Sequence, residues 1–380
     1  MPVHIPGPTD LDDLERQLAA VSRVAIDTEF HPEGRYRPEL LLIQIQVPGG
    51  DTWILDPTVD GVLSRCGPWL AALDAWVLHA GAVDLVLLRD AFGSVPEVIL
   101  DTQIAAGLIS TTYPAGLARL LRRFIQVDLP KSATLSDWSR RPLTAQQVQY
   151  AADDVIHLHQ LWDAIHAAVV SLGREQVLDG ALQHARAEAL APPDPSDAWR
   201  NIPGAIHLDT PDASVLRSLA RWREEAAQAR DVPSRTVAHD GVLRTLTKSR
   251  PADRSALSNI RRLPRALSRD HADDILTAIR VGLDEASTAP PAVFPRQSPT
   301  ATLCAALSLL GLAVGDADDF ASRLVLPDAL CEQIALAHHQ GEPTPALPPW
   351  RDALIGDALR SFLSGRTSLG IETASLRLRG

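Results

Sequence analysis

Cysteine is scarce in this chain: three residues, Cys66, Cys304 and Cys331, are spread over 380. An odd, widely spaced set with no neighbouring metal-ligand pattern excludes a disulfide framework. It is what reduced thiols in a cytosol look like, so a cytoplasmic protein is expected. A basic segment followed by an apolar run is missing from the first residues, and no cleavable signal peptide is expected. Long apolar runs are missing as well. The longest, residues 303–314, contains Gly311 and runs into Asp316 and Asp318, which makes it too short for a membrane span and reads as a core helix. No membrane partner is expected, and nothing indicates an obligate protein partner. Repeats of fixed period and low-complexity tracts are absent beyond two proline-rich linkers.

Net positive charge is lacking too. The formal charge of −11 speaks at first against a polyanionic partner, but its distribution reverses that inference. Residues 1–190 carry 14 Arg+Lys against 24 Asp+Glu, a balance of −10, while residues 205–285 carry 14 against 12, or +2. Within the second region Arg244, Lys248, Arg250, Arg254, Arg261, Arg262, Arg265 and Arg269 are interrupted by one acid, Asp253. Such a stretch suits contact with phosphate.

Apolar residues make up 46% and charged residues 22% of the chain, ordinary for globular folding, and the length suggests two or three domains. The first half reads as α/β. Short β-rich runs at 24–26, 40–47 and 52–55, with turn chemistry at Pro48-Gly49-Gly50, suit a meander. A helix at 62–73, a strand at 76–78, a helix at 82–92 and a strand at 98–100 follow, giving a mixed sheet. Helical periodicity returns at 117–124 and 144–170, the latter opened by a capping box from Thr144 and Gln147. A proline-rich break at 191–197 and another at 288–299 divide the chain into domains at 1–190, 205–287 and 300–380, the last two all-α.

Four acids attract attention. Asp27 and Glu29 close an apolar strand, where alternation puts them on one face, about 7 Å apart. Asp84 falls in the first turn of the helix after the strand at 76–78. Tyr150 and Asp154 stand four apart on one helix face, whereas Asp153 is rotated by about 100° and reads as a solvated acid. Singly, each has an ordinary explanation as a strand-end surface residue or a partner of the helix dipole. Together they are oxygen donors of the kind hard divalent cations prefer, with a phenol beside one of them able to orient water.

In order and context these residues resemble a known family. DTEF at 27–30, HAGAVDL at 79–85 and YAADDV at 150–155 are similar to the three exonuclease motifs of ribonuclease D, a tyrosine-type DEDD exonuclease. The likeness continues through DTQIAAGL at 101–108 and LPKSATLSDWSRRPL at 129–143, with Lys131, Trp138 and Arg141 as landmarks. Gln149 stands where the histidine-type enzymes carry His. Residues 208–285, around Trp222, resemble the HRDC domain, and 350–365 resemble the second, HRDC-like bundle of the same family.

The resemblance implies a ribonuclease H-like exonuclease domain followed by HRDC and HRDC-like helical domains. It implies 3′-to-5′ exoribonuclease activity with two divalent ions, Mg²⁺ or Mn²⁺, on Asp27, Glu29, Asp84 and Asp154, and with Tyr150 orienting the attacking water. Phe30, His79, Lys131, Trp138 and Arg141 are the substrate-side candidates, Arg141 equally a structural pin. RNA is the expected partner, above all tRNA precursors with single-stranded 3′ ends, with the HRDC domain on the nucleic-acid backbone. A DNA 3′ exonuclease on the same site and a catalytically silent nucleic-acid-binding scaffold are the rival readings.

Overall fold

The computed structural model describes residues 2–7, 9–31, 34–129, 137–192, 194–203, 205, 208, 210–261, 263–288, 299–372 and 375–379. The chain forms two compact units. Unit 1 comprises Met1–His31, Leu40–Ala191 and Pro299–Gly380, and unit 2 comprises Pro32–Glu39 and Pro192–Ser298.

Unit 1 is built on a six-stranded mixed sheet. Its strands are β1 (Val3–His4), β2 (Arg23–His31), β3 (Glu39–Gln46), β4 (Thr52–Leu55), β5 (Ala75–Leu78) and β6 (Val98–Asp101), in spatial order β1-β4-β3-β2-β5-β6. β3 and β4 are antiparallel, and β2, β5 and β6 run parallel. Helices α1 (Asp12–Leu18), α2 (Val62–Ala71) and α3 (Ala82–Phe92) share an apolar layer with the sheet through Leu14, Ile26, Ile45, Leu70 and Leu88. The two-residue β1, parallel to β4, carries no pattern that a reading of periodicity can detect.

Helices α4 (Thr102–Gly107), α5 (Leu117–Ile125), α6 (Ala145–Ile156), α7 (Leu158–Ser171) and α8 (Glu175–Leu190) follow. The capping box at Thr144 and Gln147 is present. The single helix expected over 144–170 is broken at His157 into α6 and α7.

Unit 2 is all-α. It contains α9 (Thr210–Arg230), α10 (Ser234–Val237), α11 (Asp240–Ser249), α12 (Arg254–Ser258), α13 (Arg265–Asp270) and α14 (Ala272–Thr288), around Leu216, Leu219, Leu243, Leu246 and Ile275. A Cβ on Gly282 would stand 2.6 Å from Val215 Cα, so α9 and α14 approach as closely as they do because that residue has none. The Tyr36 segment belongs to this unit. Its amide donates to Asp231 at 3.2 Å and its hydroxyl accepts from Gln228 at 2.9 Å.

The C-terminal residues depart from the three-domain expectation. Helices α15 (Pro299–Asp318), α16 (Ser322–Val325), α17 (Asp328–Gln340), α18 (Pro349–Arg351) and α19 (Asp357–Leu363) put Leu307, Phe320, Ile334, Trp350 and Leu359 into one core with Leu120, Trp162 and Leu178. The outer faces of α5, α7 and α8 are apolar and gain by being covered. The last described residues form a hairpin, β7 (Ser368–Glu372) with β8 (Ser375–Arg379), whose Leu369 and Leu378 pack on that core. α15 is longer than the apolar run suggested. By length and composition Thr300–Asp318 is sufficient to cross a bilayer; here it buries Leu307, Leu310 and Ala313 while exposing Leu309 and Leu312.

Candidate active site

The site grows out of unequal strand lengths. β2 runs nine residues while β5 runs four, and their pairing covers Arg23–Ala25 against Ala75–Val77. Asp27 to Phe30 therefore lie within β2, past the stretch paired with β5, rather than closing the strand as expected. Beyond β5 the chain turns at Gly81 into α3, and a Cβ there would come within 2.6 Å of the Leu78 side chain. This tight turn places Asp84 beside β2. Thr28 donates its hydroxyl proton to the Asp84 carboxylate, and its amide adds a second bond. Both residues are buried, Thr28 at 5% and Asp84 at 7% exposure.

α6 brings the other acid. Tyr150 and Asp154 share a face, and the phenol donates to the Asp154 carboxylate. Asp153 is turned outward and accepts from Gln149 at 2.7 Å. Trp138 backs the Tyr150 ring, with centroids 5.9 Å apart, from a small buried cluster with Leu41, Leu42, Ile54 and Ala151.

The electrostatics tie the acids together. Burial, followed by the charges of Asp84, Asp154 and Glu29, raises the Asp27 pKa well above the carboxylate range. Burial, then Asp154 and Asp84, lifts Glu29 to about 8. Burial, then Asp153, lifts Asp154 to about 7 against the lowering bond from Tyr150. Asp84 is also raised, chiefly by burial, and Thr28 opposes this. Tyr150 is pushed upward by burial and by these same carboxylates, so it stays a neutral phenol. Among the described residues no three such side chains are yet closed around one point. The donor set is nevertheless all oxygen and all anionic, which fits a hard divalent cation.

The other sequence candidates have different surroundings. Phe30 continues β2, half-buried. His79 Nδ1 lies 2.9 Å from the Thr102 hydroxyl, the Ala115 carbonyl also accepts from its ring, and burial lowers its pKa; it ties the turn between β5 and α3 to α4. Arg141 bonds Asp56, the Trp138 carbonyl at 2.6 Å and the Leu41 carbonyl at 3.0 Å, contacts that suit the structural pin. Lys131 lies outside the described residues. One residue was missed. Asp101, buried at the N-cap of α4, accepts from the amides of Ala80, Gly81 and Gln103 at 3.2, 2.9 and 2.8 Å. A β-strand ending in Asp before a helix is a capping signal that could have revealed it.

Comparison with known proteins decides the family. Residues 2–169 match a 3′-5′ exonuclease family model and residues 212–279 the HRDC domain model. The chain is 30% identical to ribonuclease D of Gluconacetobacter diazotrophicus, over 98% of this chain and 95% of that one. With ribonuclease D of Pseudomonas paraeruginosa it shares 30% identity over 90% and 92%. The chain belongs to the ribonuclease D family. The crystal structure of Escherichia coli RNase D, described as an exoribonuclease involved in structured RNA processing, superposes with a TM-score of 0.79 at 26% identity, covering 96% of this chain and 99% of that one. As a ribonuclease D family member the chain is a 3′-to-5′ exoribonuclease, with an exonuclease domain of mixed sheet and a helical HRDC region.

Proposed function

We propose that Asp27, Glu29, Asp84 and Asp154 hold two divalent ions, Mg²⁺ or Mn²⁺, and that the enzyme hydrolyses RNA from its 3′ end, releasing 5′-mononucleotides. The observation that carries this reading is the raised pKa of the buried carboxylates Asp27, Glu29, Asp84 and Asp154, chiefly from burial and, at Asp27 and Glu29, also from the charges of Asp84 and Asp154. Four buried acids, of which Asp27 and Glu29 are raised further by the charges of Asp84 and Asp154, are costly to keep ionised near neutral pH, and divalent cations are the chemistry that relieves this. When bound, two such ions would supply a nucleophile from water near neutral pH and stabilise the departing 3′ oxygen. The chain's own contribution is positional. Asp27 and Glu29 project from one strand face, Thr28 fixes Asp84, and the Tyr150 hydroxyl, held by Asp154 and backed by Trp138, orients the attacking water as a neutral donor.

Precursors of tRNA with single-stranded 3′ ends fit as substrates, in the cytoplasm, where Cys66, Cys304 and Cys331 stay thiols. In unit 2, Arg250, Arg254 and Arg269 are paired with Asp212, Asp273 and Asp270, while Arg244, Lys248, Arg261 and Arg265 are exposed. Arg244 and Lys248 stand one turn apart on α11, which supports backbone contact by the HRDC domain.

The test uses 3′-labelled tRNA precursor, linear single-stranded RNA and DNA, with the wild-type chain and Asp154→Asn, before and after metal removal by EDTA. Mononucleotide release from RNA that needs added Mg²⁺ or Mn²⁺ and is lost in Asp154→Asn is the expected result. Hydrolysis surviving exhaustive chelation rejects the mechanism, and faster degradation of DNA moves the substrate class.

A further inference from the structure

The first half of the chain is strongly acidic, yet α5 carries Arg119, Arg122 and Arg123 within nine residues, all exposed. Spacings of three and four residues put them on one helix face, while Leu120 and Leu121 are buried on the other. Their surroundings set them apart. Elsewhere among the described unit 1 residues up to Ala191, the arginines are already engaged. Arg16, Arg23, Arg65, Arg89, Arg140, Arg141 and Arg186 meet carboxylates, and Arg174 bonds the carbonyls of Leu108 and Asp318.

On α5, Arg119 and Arg123 meet no carboxylate among the described residues, and Arg123 lies over the Phe124 ring at 5.3 Å. Arg122 has one partner, Asp128, in a pair 75% and 68% exposed. A pair so open to water contributes little, roughly 0–1 kcal/mol at most, and a phosphate can take its place. The pairs of Arg16 with Asp13 and Arg140 with Asp137 are as open to water, but among the described residues of unit 1 up to Ala191 only α5 gathers three arginines on one helix face. The helix is also rooted in the site. Ala115, immediately before the N-cap Gly116, offers its carbonyl to Gln103 at 3.0 Å and to His79 of the second motif, and α5 packs on α7, which follows the helix bearing Tyr150 and Asp154.

We propose that the Arg119, Arg122 and Arg123 face of α5 is a docking surface for the sugar-phosphate backbone of single-stranded RNA, engaging nucleotides upstream of the 3′ end under hydrolysis. It rests on the RNA-degrading reading above and adds a second basic surface, within the catalytic unit, to that of the HRDC domain. Its contribution is electrostatic and independent of base sequence. It grows with RNA length, because the single internucleotide phosphate of a dinucleotide is the one held at the carboxylates, and only longer chains bring further phosphates to the helix.

The experiment compares the full chain with the triple variant Arg119→Gln, Arg122→Gln, Arg123→Gln and with its Arg→Lys counterpart. Binding of a long unstructured RNA is measured across a salt series, and KM and kcat are measured on that RNA and on a dinucleotide. We expect the Gln variant to bind long RNA about tenfold more weakly at low salt and to show a salt slope shallower by about 2. The KM ratio to wild type should widen with RNA length, and the Lys variant should recover most of the affinity. An equal salt slope, or a KM ratio the same at every length, overturns the surface. If the wild-type chain binds RNA through these arginines but hydrolyses only DNA, the surface stands and the substrate reading falls. If it neither binds nor hydrolyses RNA, both fall.

Discussion

Thr28 donates its hydroxyl proton to the Asp84 carboxylate across the gap where β2 outruns β5. Replacement by Val keeps the shape of a side chain that is 5% exposed but removes the donor. The bond to a charged acceptor is worth about 1.5–3 kcal/mol, and without it Asp84 is held by backbone amides alone. Thr28→Val is expected to lower kcat by one to two orders of magnitude, raise the Mg²⁺ concentration needed for half-maximal rate, and leave the fold intact by circular dichroism. Thr28→Ser restores both. Equal kinetics for Val and Ser would show that the hydroxyl positions nothing.

The carboxylate elevations give the metal-free protein a pH dependence of definite sign. Glu29 moves from 4.5 to about 8 and Asp154 from 3.8 to about 7, so the native state binds more protons than the unfolded chain between these limits. The contribution of these two groups to stability is therefore fully present below about pH 4 and is lost as pH rises through 7 to 8. The Tm of the metal-stripped protein should fall across this window. Added Mg²⁺ should flatten the fall, and Glu29→Gln should raise the metal-free Tm at pH 8 while abolishing activity. A Tm independent of pH in chelator contradicts the coupling.

How much of this was legible beforehand follows from the kind of signal each feature leaves. Strand alternation and the four-residue step from Tyr150 to Asp154 are local, so β2 to β6 and the outward turn of Asp153 could be written from spacing alone, whereas the two-residue β1 could not. Asp84 meeting Thr28 could not, because it depends on β5 stopping short of β2, a property of pairing rather than of either segment. The same holds for Arg141, whose acceptors Asp56 and Leu41 lie far off in sequence. The C-terminal helices misled for a third reason. A proline-rich break marks where a chain can separate, but not whether apolar faces on either side close over each other, as Trp350 does over Gly180.

Tyr150 is held neutral by burial and by the carboxylates around it, so in the proposed mechanism it would act through its proton rather than its charge. Tyr150→Phe keeps the ring against Trp138 and should bind Mn²⁺ as the wild type does. Its kcat should drop by roughly 10²–10⁴. The wild-type pH–rate profile should show no limb from phenol ionisation below pH 10. Metal binding by Tyr150→Phe is read by calorimetry; loss of Mn²⁺ affinity in parallel with rate would reassign Tyr150 to metal binding.

Asp101 gives the last expectation, and the geometry fixes its direction. One oxygen accepts from Ala80, Gln103 and Ile104, and the other from Gly81 at 2.9 Å. One carboxylate thus joins the start of α4 to the turn that launches α3 and Asp84. Ala80 sits in that turn at φ +59°, a left-handed conformation that costs an alanine on the order of 1 kcal/mol and is kept because its amide is bonded. In Asp101→Asn the oxygen can still serve three amides, but the new amide group confronts the Gly81 N–H donor to donor. The variant should lose about 2–3 kcal/mol of stability, and its kcat should fall at temperatures where it remains folded, because the α3 turn no longer holds Asp84 against Thr28. Adding Thr28→Val should then cost less than it does in the wild type, since both changes release the same carboxylate. Additive losses in that double-mutant cycle would show that Asp101 supports the fold without supporting Asp84.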